Sequence, residues 1–128
     1  MTRTQMRSAL GKAVGLGSAR DGVENWLLER VSAVALIPLT LWFTVSTVMH
    51  AGDDYATVMA WLRRPVTTTL MALLLMALFH HTALGLQVII EDYVHSRMKV
   101  LLLVGMRLGC LAMAVTGLVA TLKIAFGA

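Results

Sequence analysis

The sequence predicts an all-α membrane protein of three transmembrane helices with its N terminus in the cytoplasm. Three observations carry that reading. The 128 residues are 58% apolar and only 14% charged, where an average soluble domain is roughly a quarter charged. The charges are also excluded from three long runs: 31–49 and 65–90 carry none, and 100–122 carries Arg107 alone. Each run is close to or above the roughly 20 residues that cross a hydrocarbon core of ~30 Å at ~1.5 Å per helical residue. Finally, three crossings put Arg3, Arg7, Lys12, Arg20, Arg30, Arg97 and Lys99 on one side, against Arg63, Arg64 and Lys123 on the other. The basic excess assigns the first side to the cytoplasm.

The chain divides into a cytoplasmic tail, 1–30, and a three-helix anchor, 31–128. The tail has no apolar stretch of signal-peptide length, so no secretory signal is expected. Its acid-free, Arg- and Ser-containing start resembles an organelle transit peptide, but the shortness of the chain favours an uncleaved bacterial tail. The expected location is therefore the bacterial inner membrane, with the mitochondrial inner membrane second. Trp26 and Trp61 precede the first two spans, where amphipathic rings sit at the headgroup level. In the first span Pro38 removes a backbone hydrogen bond, leaves the Val34 carbonyl short of its usual partner and predicts a modest kink. Asp53-Asp54 suits a helix N terminus, so Tyr55 to Leu62 is expected to form a short helix along the outer interface. Pro65 fits the first turn of the second span.

This organisation excludes several functions. So little chain lies outside the spans that it holds no soluble catalytic domain, nucleotide-binding loop or zinc ribbon, and any chemistry must sit in or at the membrane. The 11 basic against 7 acidic residues are confined to tails and loops rather than gathered into a face, so nucleic acid is not an expected partner. A single cysteine, Cys110, permits no intrachain disulfide and reads as a small helix-packing residue. The spans lack the paired broken helices of a transporter.

Ionisable groups inside a span are costly and each needs an account. His81 in the second span lies about 24 Å along the helix from Pro65 and about 14 Å from Ile90. A neutral imidazole at that depth suits axial ligation of haem, and Gly85, one turn further on the same face, lets a flat macrocycle approach the backbone. A histidine hydrogen-bonded to a neighbouring helix is the plainer alternative. His80 points about 100° away, so the two cannot sandwich one iron. His50 and His95 fall at opposite surfaces and the third span has no histidine. A bis-histidine haem would need its other ligand from a second polypeptide.

Near the cytoplasmic end of the second span come Glu91, Asp92, Tyr93 and His95. Asp92 is about 20° from His81 in helical phase if the helix continues. A phenol and a carboxylate there suit a quinone, whose carbonyls need donors and whose reduction consumes protons, or else an interfacial tyrosine beside helix-ending charges. Arg30, with Ser32 two residues inside the first span, can pair with haem propionates or polarise a quinone carbonyl, or serve as a positive-inside anchor. Arg107 begins about 10 Å into the third span and faces either the bundle or a lipid phosphate.

The segment His81-Thr82-Ala83-Leu84-Gly85-Leu86-Gln87-Val88-Ile89-Ile90-Glu91-Asp92-Tyr93 resembles the H-x3-G-x6-D-Y pattern of the small hydrophobic membrane-anchor subunits of succinate dehydrogenase, respiratory complex II. Gly22-Val23-Glu24-Asn25-Trp26-Leu27-Leu28-Glu29-Arg30-Val31-Ser32-Ala33 resembles the segment leading into the first span of those subunits, and the three-span, N-in plan is similar over roughly 22–122. The resemblance implies a subunit without catalysis of its own. In that family a flavoprotein subunit oxidises succinate, an iron–sulfur subunit carries the electrons, and two membrane-anchor subunits form a b-type haem site and a ubiquinone site. By that resemblance His81 is the haem-iron ligand beside Gly85, and Tyr93 the quinone donor with Asp92 as its neighbour. Arg30, with Ser32 beyond it, is near the propionates and the quinone pocket. His80 is an extra histidine relative to that pattern, and the basic tail has no assigned role. The alternatives are the anchor of a fumarate reductase, another small cytochrome b, or a haem-free scaffolding subunit.

The topology is checked by labelling introduced cysteines with an impermeant thiol reagent applied from outside. A cysteine at position 53 is expected to react and one at position 10 to be protected; the reverse pattern refutes the N-in orientation.

Overall fold

The computed structural model describes residues 17–127. It consists of four helices: α1 (Gly17–Met49), α2 (Tyr55–Leu62), α3 (Pro65–Tyr93) and α4 (Met98–Phe126). No strand occurs among the described residues. Over 22–49, 65–93 and 98–126 the helices are long and apolar enough to cross a membrane, in agreement with the three expected spans. Arg3, Arg7 and Lys12 lie outside the described residues. α1 begins well before the uncharged run, so Trp26 and Arg30 stand on the same continuous helix as Ser32. Leu27, Leu28, Glu29 and Arg30 are good helix formers, and the helix carries through the interface.

Pro38 lies inside α1 without ending it. Just beyond it, the Thr40 hydroxyl donates to the carbonyls of Leu36 at 2.6 Å and Ile37 at 3.2 Å. Thr44 and Thr47 donate likewise to Thr40 and Phe43 at 2.8 and 2.7 Å. A hydroxyl in hydrocarbon has no water to turn to, so the carbonyl one turn back is its partner.

The short helix expected between the first two spans is present as α2, with Asp54 at its N-cap. Trp61 of α2 stacks on His50 at 4.5 Å between ring centroids, and Trp42 lies 6.4 Å from Trp61. These contacts fold α2 against the end of α1. Pro65 opens α3 in its first turn, where a missing N–H costs nothing. At the same end Arg63 Nε donates to the Ile124 carbonyl at 3.2 Å, placing a cation on the C-terminus of α4. Gly127 closes α4 at φ 71°, a left-handed conformation that favours glycine.

α3 is the middle helix, packed on α1 along one side and α4 along the other. Its contacts use small and polar residues. Ser32 and Thr67 are buried, and Leu74 is the one buried apolar side chain among the described residues. A Cβ added at Gly117 of α4 would lie 3.1 Å from Leu75 Cδ1, so α4 approaches α3 closely there. Large apolar side chains are exposed along every span. Helices apolar on all sides belong in lipid or against other spans.

The cap on α2 gives a testable pH dependence. Hydrogen bonds from Thr57, side chain first and then the backbone amide at 3.2 Å from Oδ1, hold the Asp54 carboxyl below its ordinary range. A pKa lowered by folding gives stability that is present above the unfolded value and lost as pH falls through the folded one. Amide-exchange protection over 55–62, corrected for intrinsic rates, is expected to drop as pH is lowered through that range. Asp54→Ala is expected to show the same loss at neutral pH, and equal protection in the two proteins there refutes the cap.

Candidate functional site

The more buried of two side-chain contacts between spans joins α1 to α3. Ser32 is only 7% exposed, and its Oγ lies 3.0 Å from Nδ1 of His81, forty-nine positions away in the chain. The same hydroxyl donates to the Glu29 carbonyl at 2.9 Å. His81 is thus hydrogen-bonded to a neighbouring helix, the plainer of the two readings open from the sequence. That bond occupies only Nδ1, however, and a ring nitrogen, Nε2, is left for another partner.

The surroundings of His81 fit a flat macrocycle. Gly85 is one turn along the same helix, and a Cβ built there meets no atom within 4 Å. The glycine therefore leaves open space on the face that a ring would approach. His80 diverges as helical phase requires. It is exposed and lines a shallow groove of about 270 Å³ with Phe79, Ala83, Arg107 and Cys110. His50 sits at the far end of α1, where its Nδ1 lies 2.8 Å from the Ser46 carbonyl, and His95 follows the end of α3. No cluster of three or more metal-ligating side chains occurs among the described residues.

α3 runs unbroken from His81 through Tyr93, which meets the condition for placing His81 and Asp92 on one face. Asp92 and Tyr93 occupy its last turn, and Tyr93 is 81% exposed. On α1, the Arg30 guanidinium lies over the Trp26 ring, 5.6 Å from its centroid, a cation–π arrangement. Between these helix ends is a cavity of about 320 Å³ lined in part by Asn25, Trp26, Glu29, Gln87 and Glu91. The structure therefore brings Ser32 onto His81, whereas Arg30, Asp92 and Tyr93 stand exposed around the mouth of the bundle.

Gln87 is the residue that sequence reasoning missed. Arg107 Nη2 donates to Gln87 Oε1 at 2.8 Å, and Gln87 Nε2 donates to Glu91 Oε1 at 2.8 Å. Lys99 Nζ donates to the Glu91 carbonyl at 3.1 Å. This chain of bonds gives the Arg107 side chain a partner on α3, so the guanidinium faces a protein group at its depth. The available signal was the amide of Gln87 placed four residues before Glu91.

The chain is similar to known membrane-anchor subunits. The family model described as succinate dehydrogenase/fumarate reductase transmembrane subunit matches residues 4–122. The chain is 33% identical over 88 residues to the succinate dehydrogenase hydrophobic membrane anchor subunit of Rickettsia bellii, covering 69% of this chain and 70% of that one. With the subunit of the same name from Rickettsia conorii it shares 28% identity over 116 residues, covering 89% and 92%. The similarity to its counterpart from Paracoccus denitrificans is 33% over 81 residues, 63% of each chain. With three long apolar helices over the matched region, the chain belongs to the succinate dehydrogenase/fumarate reductase transmembrane subunit family.

Proposed function

We propose that this chain is the hydrophobic membrane anchor of a succinate dehydrogenase (succinate:ubiquinone oxidoreductase) in the bacterial inner membrane, with its N terminus in the cytoplasm. It has no catalysis alone, contributes one axial histidine to a b-type haem, and forms part of the ubiquinone-reduction site. The observation that carries the reading is the state of His81: one ring nitrogen is engaged by Ser32, the other is left for a partner, and Gly85 stands open beside it. The names of the similar proteins favour succinate dehydrogenase over a fumarate reductase anchor or another small cytochrome b.

On this reading His81 would hold the iron through Nε2, and Arg30 would pair with the propionates. A haem closed by two histidines supplies a site for transient electron storage rather than oxygen chemistry. His80 diverges from His81, and His50 and His95 lie at the two ends of the spans, so a second histidine for the haem would have to come from a second anchor subunit. Iron–sulfur and flavoprotein subunits supply electrons taken from succinate. Tyr93 donates its phenolic hydrogen to a ubiquinone carbonyl, with Asp92 as the adjacent carboxylate and Arg30 as the cation across the mouth. Ser32 groups with them by its position on α1, but its hydroxyl is committed to His81 and Glu29. The exposed apolar faces are covered by lipid and by the second anchor.

In the assembled complex His81→Ala is expected to weaken or abolish the reduced b-haem bands, while His80→Ala largely preserves them. An unaltered bis-histidine spectrum in His81→Ala, together with its loss in His80→Ala, exchanges the two roles. Absence of haem bands from the wild-type complex supports the haem-free scaffold instead.

Tyr93→Phe removes one hydroxyl and keeps the ring. Ubiquinone reduction is expected to slow by about 10²-fold, the scale of losing a positioned donor to a developing oxyanion. Succinate oxidation through an artificial acceptor and haem content are expected to survive, because His81 is about 18 Å along the helix from Tyr93. An unchanged ratio of the two activities makes Tyr93 an interfacial anchor only.

A further inference from the structure

The geometry points to Ser32 as the positioning residue of His81, fixing the protonated nitrogen and the rotation of the ring so that Nε2 presents its lone pair to iron. This rests on the reading of His81 as a haem ligand and adds a residue through which that ligand acts.

A serine hydroxyl has one hydrogen to donate and two lone pairs to accept with. At Ser32 the hydrogen goes to the Glu29 carbonyl, an acceptor that has nothing to give back, at 2.9 Å. What Ser32 Oγ offers to the imidazole at 3.0 Å is then a lone pair, so Nδ1 must be the nitrogen that carries hydrogen. A neutral imidazole protonated at Nδ1 has its free lone pair on Nε2. The backbone of α1 thereby sets the tautomer of a side chain on α3, with the hydroxyl as relay.

The relay is also held rigidly. Ser32 is buried, and its bond to the carbonyl three residues back in the same helix fixes where the oxygen points. His81 Nδ1 is tethered to a point on a second helix, so rotation about the Cβ–Cγ bond breaks the contact. Ring orientation about the iron–nitrogen axis is among the properties that partners of metal-bound histidines control, and loss of such a partner typically weakens metal binding about 10-fold to 100-fold. A bystander serine that merely fills space between α1 and α3 has neither effect.

The test compares Ser32→Thr with Ser32→Val in the complex purified from membranes. The two side chains have nearly the same shape and differ in the hydroxyl, so a packing role treats them alike. Two properties are read: the anisotropy of the low-spin ferric haem signal in electron paramagnetic resonance, and the rate of haem transfer to excess apomyoglobin. Ser32→Thr is expected to match the wild type in both. Ser32→Val is expected to show a changed signal and haem loss faster by about 10-fold. Equal behaviour of Thr and Val overturns the positioning role. His81→Gln, measured alongside, separates the two claims: if it loses the haem signal while Thr and Val agree, the ligand stands and only the role of Ser32 falls. If His81→Gln retains the wild-type signal, both fall. Should Ser32→Val assemble poorly, Ser32→Ala gives the same comparison without added bulk.

Discussion

A polar side chain held in hydrocarbon must find its partner inside the protein, and in this chain that requirement organises the bundle around α3. Two long-range side-chain bonds meet on that helix from opposite neighbours. Ser32 of α1 reaches His81 at 3.0 Å, and Arg107 of α4 reaches Gln87 at 2.8 Å. An unmet group at such depth costs several kcal/mol, about the scale of an exposed peptide group in a bilayer. Sliding or rotating α1 or α4 against α3 separates one of these pairs, so the bonds define register where apolar packing alone leaves it loose. Arg63, bonded to the carbonyl of Ile124, adds a third tie at the opposite end.

The thinness of the apolar core explains why so few polar contacts matter so much. Leu74 is the only buried apolar side chain among the described residues, and large residues such as Ile37, Leu41, Leu101 and Leu111 are more than half exposed. In water such a chain would aggregate. In lipid the apolar surface is already solvated, helix association gains little from burying it, and close contacts such as Gly117 against Leu75 take over. The same exposed surface is available to a second anchor subunit, which the proposed haem requires.

The two proposed redox positions occupy one helix at different depths. His81 lies within the span and is tied to α1, whereas Asp92 and Tyr93 end α3 and are exposed. A continuous helix keeps the separation between them constant, about 18 Å along the axis. It also gives them unlike environments: the imidazole is bonded to Ser32 of the neighbouring helix, whereas Tyr93 is exposed. The Arg107–Gln87–Glu91 chain of bonds links α4 to α3 between the two levels.

The fold class and the span positions were legible in the sequence because they depend on one-dimensional quantities: the length of uncharged runs, Asp54 ahead of a short helix and Pro65 at a helix start. The residues proposed for the site were chosen in the same way, since an ionisable group in a hydrophobic run stands out by its cost, and the spacing of His81, Gly85, Asp92 and Tyr93 is a helical phase. Only the tertiary structure decided which groups meet. Nothing in the order of residues states that Ser32 faces His81, because forty-nine positions separate them and α2 lies between their helices in the chain. Position alone grouped Ser32 with Arg30 at the mouth, and the packing of α1 on α3 turned its hydroxyl toward the imidazole. Gln87 was passed over for the same reason. Its importance comes from Arg107 on another helix, and a contact between helices is set by how they pack and rotate in the bilayer, a three-dimensional balance that no local pattern encodes.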